Sequence, residues 1–168
     1  MDDVVIIGGG IIGTATAYFL SKEGRKVKVI ERDPTYKTAS FPLSLGGFRR
    51  QFFQKENILL GKFARDFIFK IPEVLKTEKN PNPTASMVTN GYLLMFGPEH
   101  AEEQYRALEN HKECDAGTKN IKGSDLSNVF PYINNDGIET ATYTDNQSEG
   151  WIDPVSYTHL TLPTNVAV

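Results

Sequence analysis

The sequence predicts an α/β fold built on a parallel strand, helix, strand unit, and three observations predict it. Val4–Ile7 is an unbroken run of β-branched residues, whose length and composition fit a strand buried on both faces, as parallel strands are. Gly8, Gly9 and Gly10 stop that run. From Ile11 the pattern turns helical, with Ile12, Ala15, Tyr18 and Phe19 on one face, until Gly24 closes it where a residue just past a helix C-terminus is expected. Val27–Ile30 is a second apolar strand and it ends on Glu31, completing the unit.

The following segment, RDPTYKTASFPLSLGGFRRQF, holds two prolines and two adjacent glycines without an apolar strand pattern, which predicts an extended, ligand-shaped loop. Helical spacing returns over 57–71 through Ile58, Leu59, Phe63, Phe67 and Ile71, where Pro72 interrupts it. The NPNP stretch at 80–83 is a turn or linker. Beyond it, 92–96 reads as a strand, 98–114 as a charged surface helix, 125–130 as a short helical turn and 138–143 as a strand. The expected organisation is therefore the N-terminal part of a dinucleotide-binding domain at 1–72, part of an inserted α+β substrate domain at 73–149, and the start of a return to the first domain at 150–154. The segment 155–165, VSYTHLTLPTN, back-translates to a string resembling read-through of a transposon-derived sequencing adaptor. The tail 155–168 is therefore expected to be non-native, with the chain truncated near Pro154; the alternative is a native strand with Tyr157, His159 and Thr161 alternating.

Composition narrows the function. The 168 residues are 39% hydrophobic and 23% charged, enough apolar side chain for a core and too little charge for intrinsic disorder. A net charge of −3 gives no electrostatic reason to bind nucleic acid or an anionic membrane. The single cysteine, Cys114, cannot form an internal disulfide, and His100, His111 and His159 lack zinc-ligand spacing. The N-terminus places two acids where a signal peptide carries basic residues, and no stretch reaches transmembrane length, so the reading is a cytoplasmic protein in a reducing compartment.

The chemistry lies in Gly8-x-Gly10-x-x-Gly13, set between the predicted strand and helix, the context that lifts a weak pattern to a useful one. Gly8 permits the tight turn, Gly10 lets backbone approach a pyrophosphate, and Gly13 lets the helix pack closely on the strand. The amides around Ile11 and Ile12 then face the phosphates with the positive end of the helix dipole behind them. Glu31 stands eighteen residues beyond Gly13, where a carboxylate hydrogen-bonds a ribose diol and repels a 2′-phosphate, which disfavours NADP relative to FAD or NAD. A nicotinamide-binding half would continue with a further helix and a third apolar strand. The chain runs instead into the Ser/Gly-rich stretch 38–47.

The stretch VVIIGGGIIGTATAYFLSKEGRKVKVIERD, continued through TYKTASFPLSLGGFRRQF, resembles the FAD-dependent oxidoreductases of the D-amino-acid oxidase, glycine oxidase and sarcosine oxidase family, as do NGYLLMFG, FPYIN and EGWIDP. Within it the resemblance is closest to a group of FAD-dependent oxidoreductase domain proteins that includes a mitochondrial protein linked to respiratory complex I assembly. The resemblance implies a Rossmann-like FAD-binding domain with an inserted α+β substrate domain, and oxidation of the C–N bond of an amine or amino acid. It implies that Gly8, Gly10, Ile11, Ile12 and Gly13 hold the FAD pyrophosphate, that Glu31 holds the adenosine ribose, and that Arg32 lies beside the adenine. It places Ser40 and Ser44 near phosphate or ribityl, Gly46 and Gly47 against the flavin, and Arg49 on the flavin side as a catalytic residue. Leu45 stands where the sarcosine oxidases carry a histidine, so their detailed substrate chemistry does not transfer. The alternatives are a flavin-holding respiratory-complex assembly factor and an NAD-dependent dehydrogenase.

Other candidates have plainer readings. Arg49 and Arg50, with Lys55, Lys62 and Arg65, also fit an ordinary solvated basic face. Cys114 is expected to be inert, His100 and His111 to be exposed helix residues, and Phe52 and Phe53 to be core packing. No GxSxG is present to support a serine hydrolase. The expected partner is a small-molecule amine or amino acid, with oligomeric state open.

Overall fold

The computed structural model describes residues 3–145 and 149–152. The tail 155–168, expected to be adaptor-derived, and Pro154 lie outside the described residues. The chain divides into two compact units.

The first unit takes in Ile71–Ser86, the described residues of Met1–Gly46, and Ile152. Strand β1 (Val4–Ile7) pairs in parallel with β2 (Val27–Ile30), in the register Val4↔Val27 to Ile7↔Ile30, with helix α1 (Ile11–Lys22) between them in sequence. Parallel neighbours cannot be joined by a hairpin, so the helical crossover is what the pairing requires. Glycine ends the helix as expected: Gly24 has φ +80 and donates its N–H to the Ser21 carbonyl, and Lys22 complements the dipole in the last turn. The face named from the sequence is not the buried one. Ile12 is 81% exposed while Ala17 is fully buried, because α1 approaches β1 through small residues: a Cβ on Gly13 would come within 3.4 Å of the Ile6 side chain.

The second unit comprises Gly47–Lys70 and the described residues of Met87–Trp151. Its larger sheet is antiparallel, with β7 (Thr140–Tyr143) between β5 (Leu93–Phe96) and β6 (Lys119–Lys122). Helix α4 (Pro98–Glu113) begins with proline at its first position, where the missing N–H costs nothing, and buries Ala101, Gln104, Ala107 and His111. Gln104 Nε2 donates to the Thr142 hydroxyl at 3.3 Å, tying the helix to the middle strand. A small sheet joins β3 (Gly47–Phe48), β8 (Gly150–Ile152) and β4 (Met87–Thr89). Helix α2 (Lys55–Phe69) starts two residues earlier than the apolar spacing predicts. Its Ile58 forms a core with Cys114, Ala116 and the partly buried Phe52. α2 ends at Phe69, just ahead of the interruption expected at Pro72, and Pro72 itself sits in the first turn of a separate short helix, α3 (Ile71–Val74), which belongs to the first unit.

His111 was expected to be exposed, and it is buried at 4%. It falls on the inward stripe Ala101, Gln104, Ala107, His111, whose helical spacing continues past the polar residues around it. Phe53 is 44% exposed and only Phe52 joins the core. Strand β6 was not expected at all, because Lys119, Asn120 and Lys122 give an edge strand no apolar signal.

Candidate functional site: a cleft over the glycine turn

All residues of the site belong to the first unit, where a cleft of about 760 Å³ opens at the carboxyl ends of β1 and β2. That is where ligands bind in open α/β sheets, and the volume lies in the range of ligand pockets. Its floor is the glycine turn and helix start, with Gly8, Gly10, Ile11, Ile12 and Gly13 among the lining residues. Its side is formed by the end of β2 and the loop beyond, through Glu31, Arg32, Asp33, Tyr36 and Ser40.

The turn is built as its glycines allow. Gly8 has φ +99, a left-handed conformation that glycine adopts without a Cβ penalty, and its N–H donates to the Ile30 carbonyl at 2.8 Å. Gly13 has no room for a side chain: a Cβ there would lie 1.9 Å from the Gly8 carbonyl oxygen. Gly10 is the opposite case, since a Cβ on it meets nothing within 4 Å. Gly10 is the N-cap of α1 and supplies no side-chain cap, so the first helical amides are left to a ligand or solvent. A hollow over amides that have no intrahelical acceptor, at a positive dipole end, fits a phosphate group.

Glu31 is placed by two backbone amides. Its Oε2 accepts from Gly9 N–H at 2.6 Å and its Oε1 from Asp33 N–H at 2.8 Å. Those amides, Asp33 first and then Gly9, hold its carboxyl below the usual carboxylate range, so it is charged at neutral pH. Each oxygen keeps a further lone pair for a ligand hydroxyl. Asp33 accepts from the Thr35 amide at 3.0 Å and the Thr35 hydroxyl at 2.6 Å, which tightens the turn after β2 and lowers the Asp33 carboxyl too.

The structure gathers Gly8, Gly10, Ile11, Ile12, Gly13, Glu31, Arg32 and Ser40 around one cleft. Ser44, Gly46, Gly47 and Arg49 do not line it. Ser44 Oγ accepts from Gly46 N–H at 3.1 Å, and Gly46 has φ +63. Gly47 lies in β3, where a Cβ would meet the Tyr92 hydroxyl at 2.4 Å. Arg49 is exposed, its guanidinium 5.0 Å from the Phe52 ring centroid, while Arg50 is buried beside Glu149. Sequence reasoning missed Gly9, Asp33 and Tyr36. The Asp-Pro-Thr triplet was an available turn signal for Asp33; nothing in the sequence marks Tyr36. Among the described residues no group of histidine, cysteine and acidic side chains could hold a metal, and no helix is long and apolar enough to cross a membrane.

A parallel strand, glycine turn, helix and strand carrying an acidic residue at this cleft define a dinucleotide-binding protein. The chain matches the FAD dependent oxidoreductase (DAO) family over residues 3–162 and belongs to it; the cofactor is FAD, and the nicotinamide alternative falls away. The FAD-dependent oxidoreductase domain-containing protein 1 of Xenopus laevis is 40% identical over 160 residues, an alignment covering 90% of this chain and 31% of that protein. The chain thus spans about a third of the length of the curated relatives it matches. Among solved structures, L-proline dehydrogenase from P. horikoshii superposes with a TM-score of 0.74 and 26% identity, over 95% of this chain and 40% of that one. Glycine oxidase from Geobacillus kaustophilus shares the fold, with a TM-score of 0.70 and 18% identity over 95% and 42%.

Proposed function

We propose that this chain carries the adenosine-diphosphate cradle of an FAD-dependent enzyme that oxidises the C–N bond of an amine or amino acid. The observation that carries the proposal is the cleft, in which the hollow at Gly10, the amides of the α1 start and the doubly held Glu31 carboxylate meet within one unit. In this reading the amides at Ile11, Ile12 and Gly13 take the pyrophosphate oxygens, with Gly8 making the turn and Gly10 admitting the group. Glu31 accepts from the ribose diol, Arg32 lies along the adenine, and Ser40 with Ser44 offers hydroxyls to phosphate or ribityl. Gly46 and Gly47 pass close to the ring system, and Arg49 supplies positive charge on the substrate side.

When bound, FAD would supply the acceptor for a hydride from the carbon next to the substrate nitrogen, leaving an iminium ion that becomes the imine on losing its N–H proton to solvent. The protein supplies orientation and charge. An exposed guanidinium suits a carboxylate or an electron-rich ring, which is why Arg49 and not the Glu149-bound Arg50 is assigned that part. The amino-acid chemistry in the names of the solved relatives, a proline dehydrogenase and a glycine oxidase among them, supports this substrate class.

The test is anaerobic reduction of the holoprotein's flavin by secondary and N-methyl amino acids, followed by loss of visible absorbance. Bleaching by such substrates, slowed far more by Arg49→Ala than by Arg50→Ala at equal FAD content, is the expected outcome. A flavin that no amine or amino acid reduces would contradict the proposed reaction and favour a flavin-holding assembly role.

A further inference from the structure

Tyr36 adopts φ +54, a left-handed conformation that costs a bulky side chain about 1 kcal/mol or more and is uncommon outside glycine, asparagine and aspartate. Such strain persists where neighbouring bonds over-determine the backbone, and it recurs at ligand clamps. Here the neighbouring bonds are backbone hydrogen bonds on both sides of the residue. Tyr36 N–H donates to the Asp33 carbonyl at 3.1 Å, Ala39 N–H donates to the Tyr36 carbonyl at 3.1 Å, and Asp33 is itself held by Glu31. The result turns the ring back over the glycine turn. A Cβ built on Gly9 would lie 2.7 Å from the Tyr36 hydroxyl oxygen, 3.3 Å from Glu31 Cβ and 3.5 Å from Glu31 Oε2, so phenol, carboxylate and glycine backbone converge on one spot. Tyr36 lines the cleft beside Glu31.

We propose that Tyr36 is a further FAD-binding residue, closing the adenosine end of the cleft next to Glu31; this rests on the reading of that cleft as the FAD site. Glu31 is an acceptor only, and its two oxygens already take one amide each. A ribose diol met by the carboxylate is met at the same spot by a neutral O–H that can both donate and accept. The phenol stays protonated because burial, and then the Glu31 charge, push its pKa up. Middle-glycine identity also follows: at Gly9 any side chain would compete for the space the hydroxyl fills.

The experiment compares wild-type holoprotein with Tyr36→Phe and Tyr36→Gly, measuring the FAD dissociation constant by recovery of flavin fluorescence and the thermal midpoint of each apoprotein. Tyr36→Phe is expected to weaken FAD binding about threefold to tenfold, the size of one lost hydrogen bond, and Tyr36→Gly to weaken it further. The apoprotein midpoints should hold, and Tyr36→Gly should match or exceed wild type because glycine relieves the left-handed strain. FAD affinity within about twofold of wild type in Tyr36→Phe and Tyr36→Gly would overturn the proposal, as would a loss of affinity that only follows a matching fall in apoprotein midpoint. Should Tyr36→Gly not fold, Tyr36→Phe decides by the same threshold. A wild-type protein that retains no FAD would instead overturn the reading of the cleft itself.

Discussion

Gly10 and Gly13 stand three residues apart in the same motif, and the structure gives them opposite reasons to lack a side chain. At Gly13 the obstacle is internal, the Gly8 carbonyl oxygen at 1.9 Å from a Cβ, so Gly13→Ala must push α1 off the turn. Overpacking of that kind costs about 1–3 kcal/mol, and Gly13→Ala should lower the thermal midpoint with or without FAD. At Gly10 the protein itself leaves room, and Gly10→Ala should keep the apoprotein midpoint while weakening FAD. Glu31 adds a pH dependence with a definite sign. Its folded-state pKa is depressed by the Asp33 and Gly9 amides, so the unfolded chain binds more protons in the window below the ordinary glutamate value, roughly 4.3. The contribution is present above that value and is lost as pH falls through the folded-state pKa. FAD release on acidification should therefore begin at higher pH in a wild-type titration than the loss of overall helicity, and Glu31→Gln should flatten that early step. Release and unfolding that coincide in both proteins would contradict this.

At the scale of elements, the loop after β3 is where two adjacent arginines part company. Glu149 is fully buried in the second unit and accepts from Arg50 N–H at 2.5 Å, Gln51 Nε2 at 3.2 Å and the Thr144 hydroxyl at 2.7 Å. Arg50 Nε stands 3.7 Å from the same carboxylate, an ion-pair distance beyond hydrogen bonding. His111 Nε2 and Asn110 Nδ2 of α4 then donate to the Phe52 and Phe53 carbonyls at 2.7 and 2.8 Å. With Arg50 turned inward on Glu149, Arg49 is left exposed over the Phe52 ring. Removing one partner of a buried ion pair leaves an uncompensated charge, so Arg50→Ala should destabilise the protein by about 3 kcal/mol in urea unfolding while Arg49→Ala changes stability by less than about 1 kcal/mol. Equal destabilisation by the two would contradict the division. None of this clamp was legible in the sequence. Glu149 lies 99 residues from Arg50, and an isolated acid in a polar stretch carries no sign of burial. His111 differs from expectation for a related reason: between Asn110 and Lys112 it looks solvated, and only its place on the stripe with Ala107 shows which way it faces.

For the whole molecule, what could be read was what is local. β1, α1 and β2 fall on the residues expected because a β-branched run, a glycine turn and helical spacing each act over a few positions. The cleft floor was readable for the same reason. The loop wall with Tyr36, the edge strand β6 and the small β3-β8-β4 sheet depend on partners distant in sequence, which local patterns do not encode. Ile7 is 89% and Ile12 81% exposed around the cleft, apolar surface of the sort that a ligand or further chain covers, and the curated relatives are about three times longer. The 168 residues expressed alone should therefore bind a hydrophobic dye and produce no amine-dependent peroxide, whereas measurable peroxide from them would show that the extra length found in the relatives is dispensable. If the glycine turn cradles FAD, the flavin absorbance of purified Gly10→Val protein must reveal it. A branched side chain there fills the hollow that no protein atom occupies within 4 Å, so the variant should purify folded and colourless beside a yellow wild type. A Gly10→Val protein that keeps its full complement of FAD would show that the cofactor is held elsewhere.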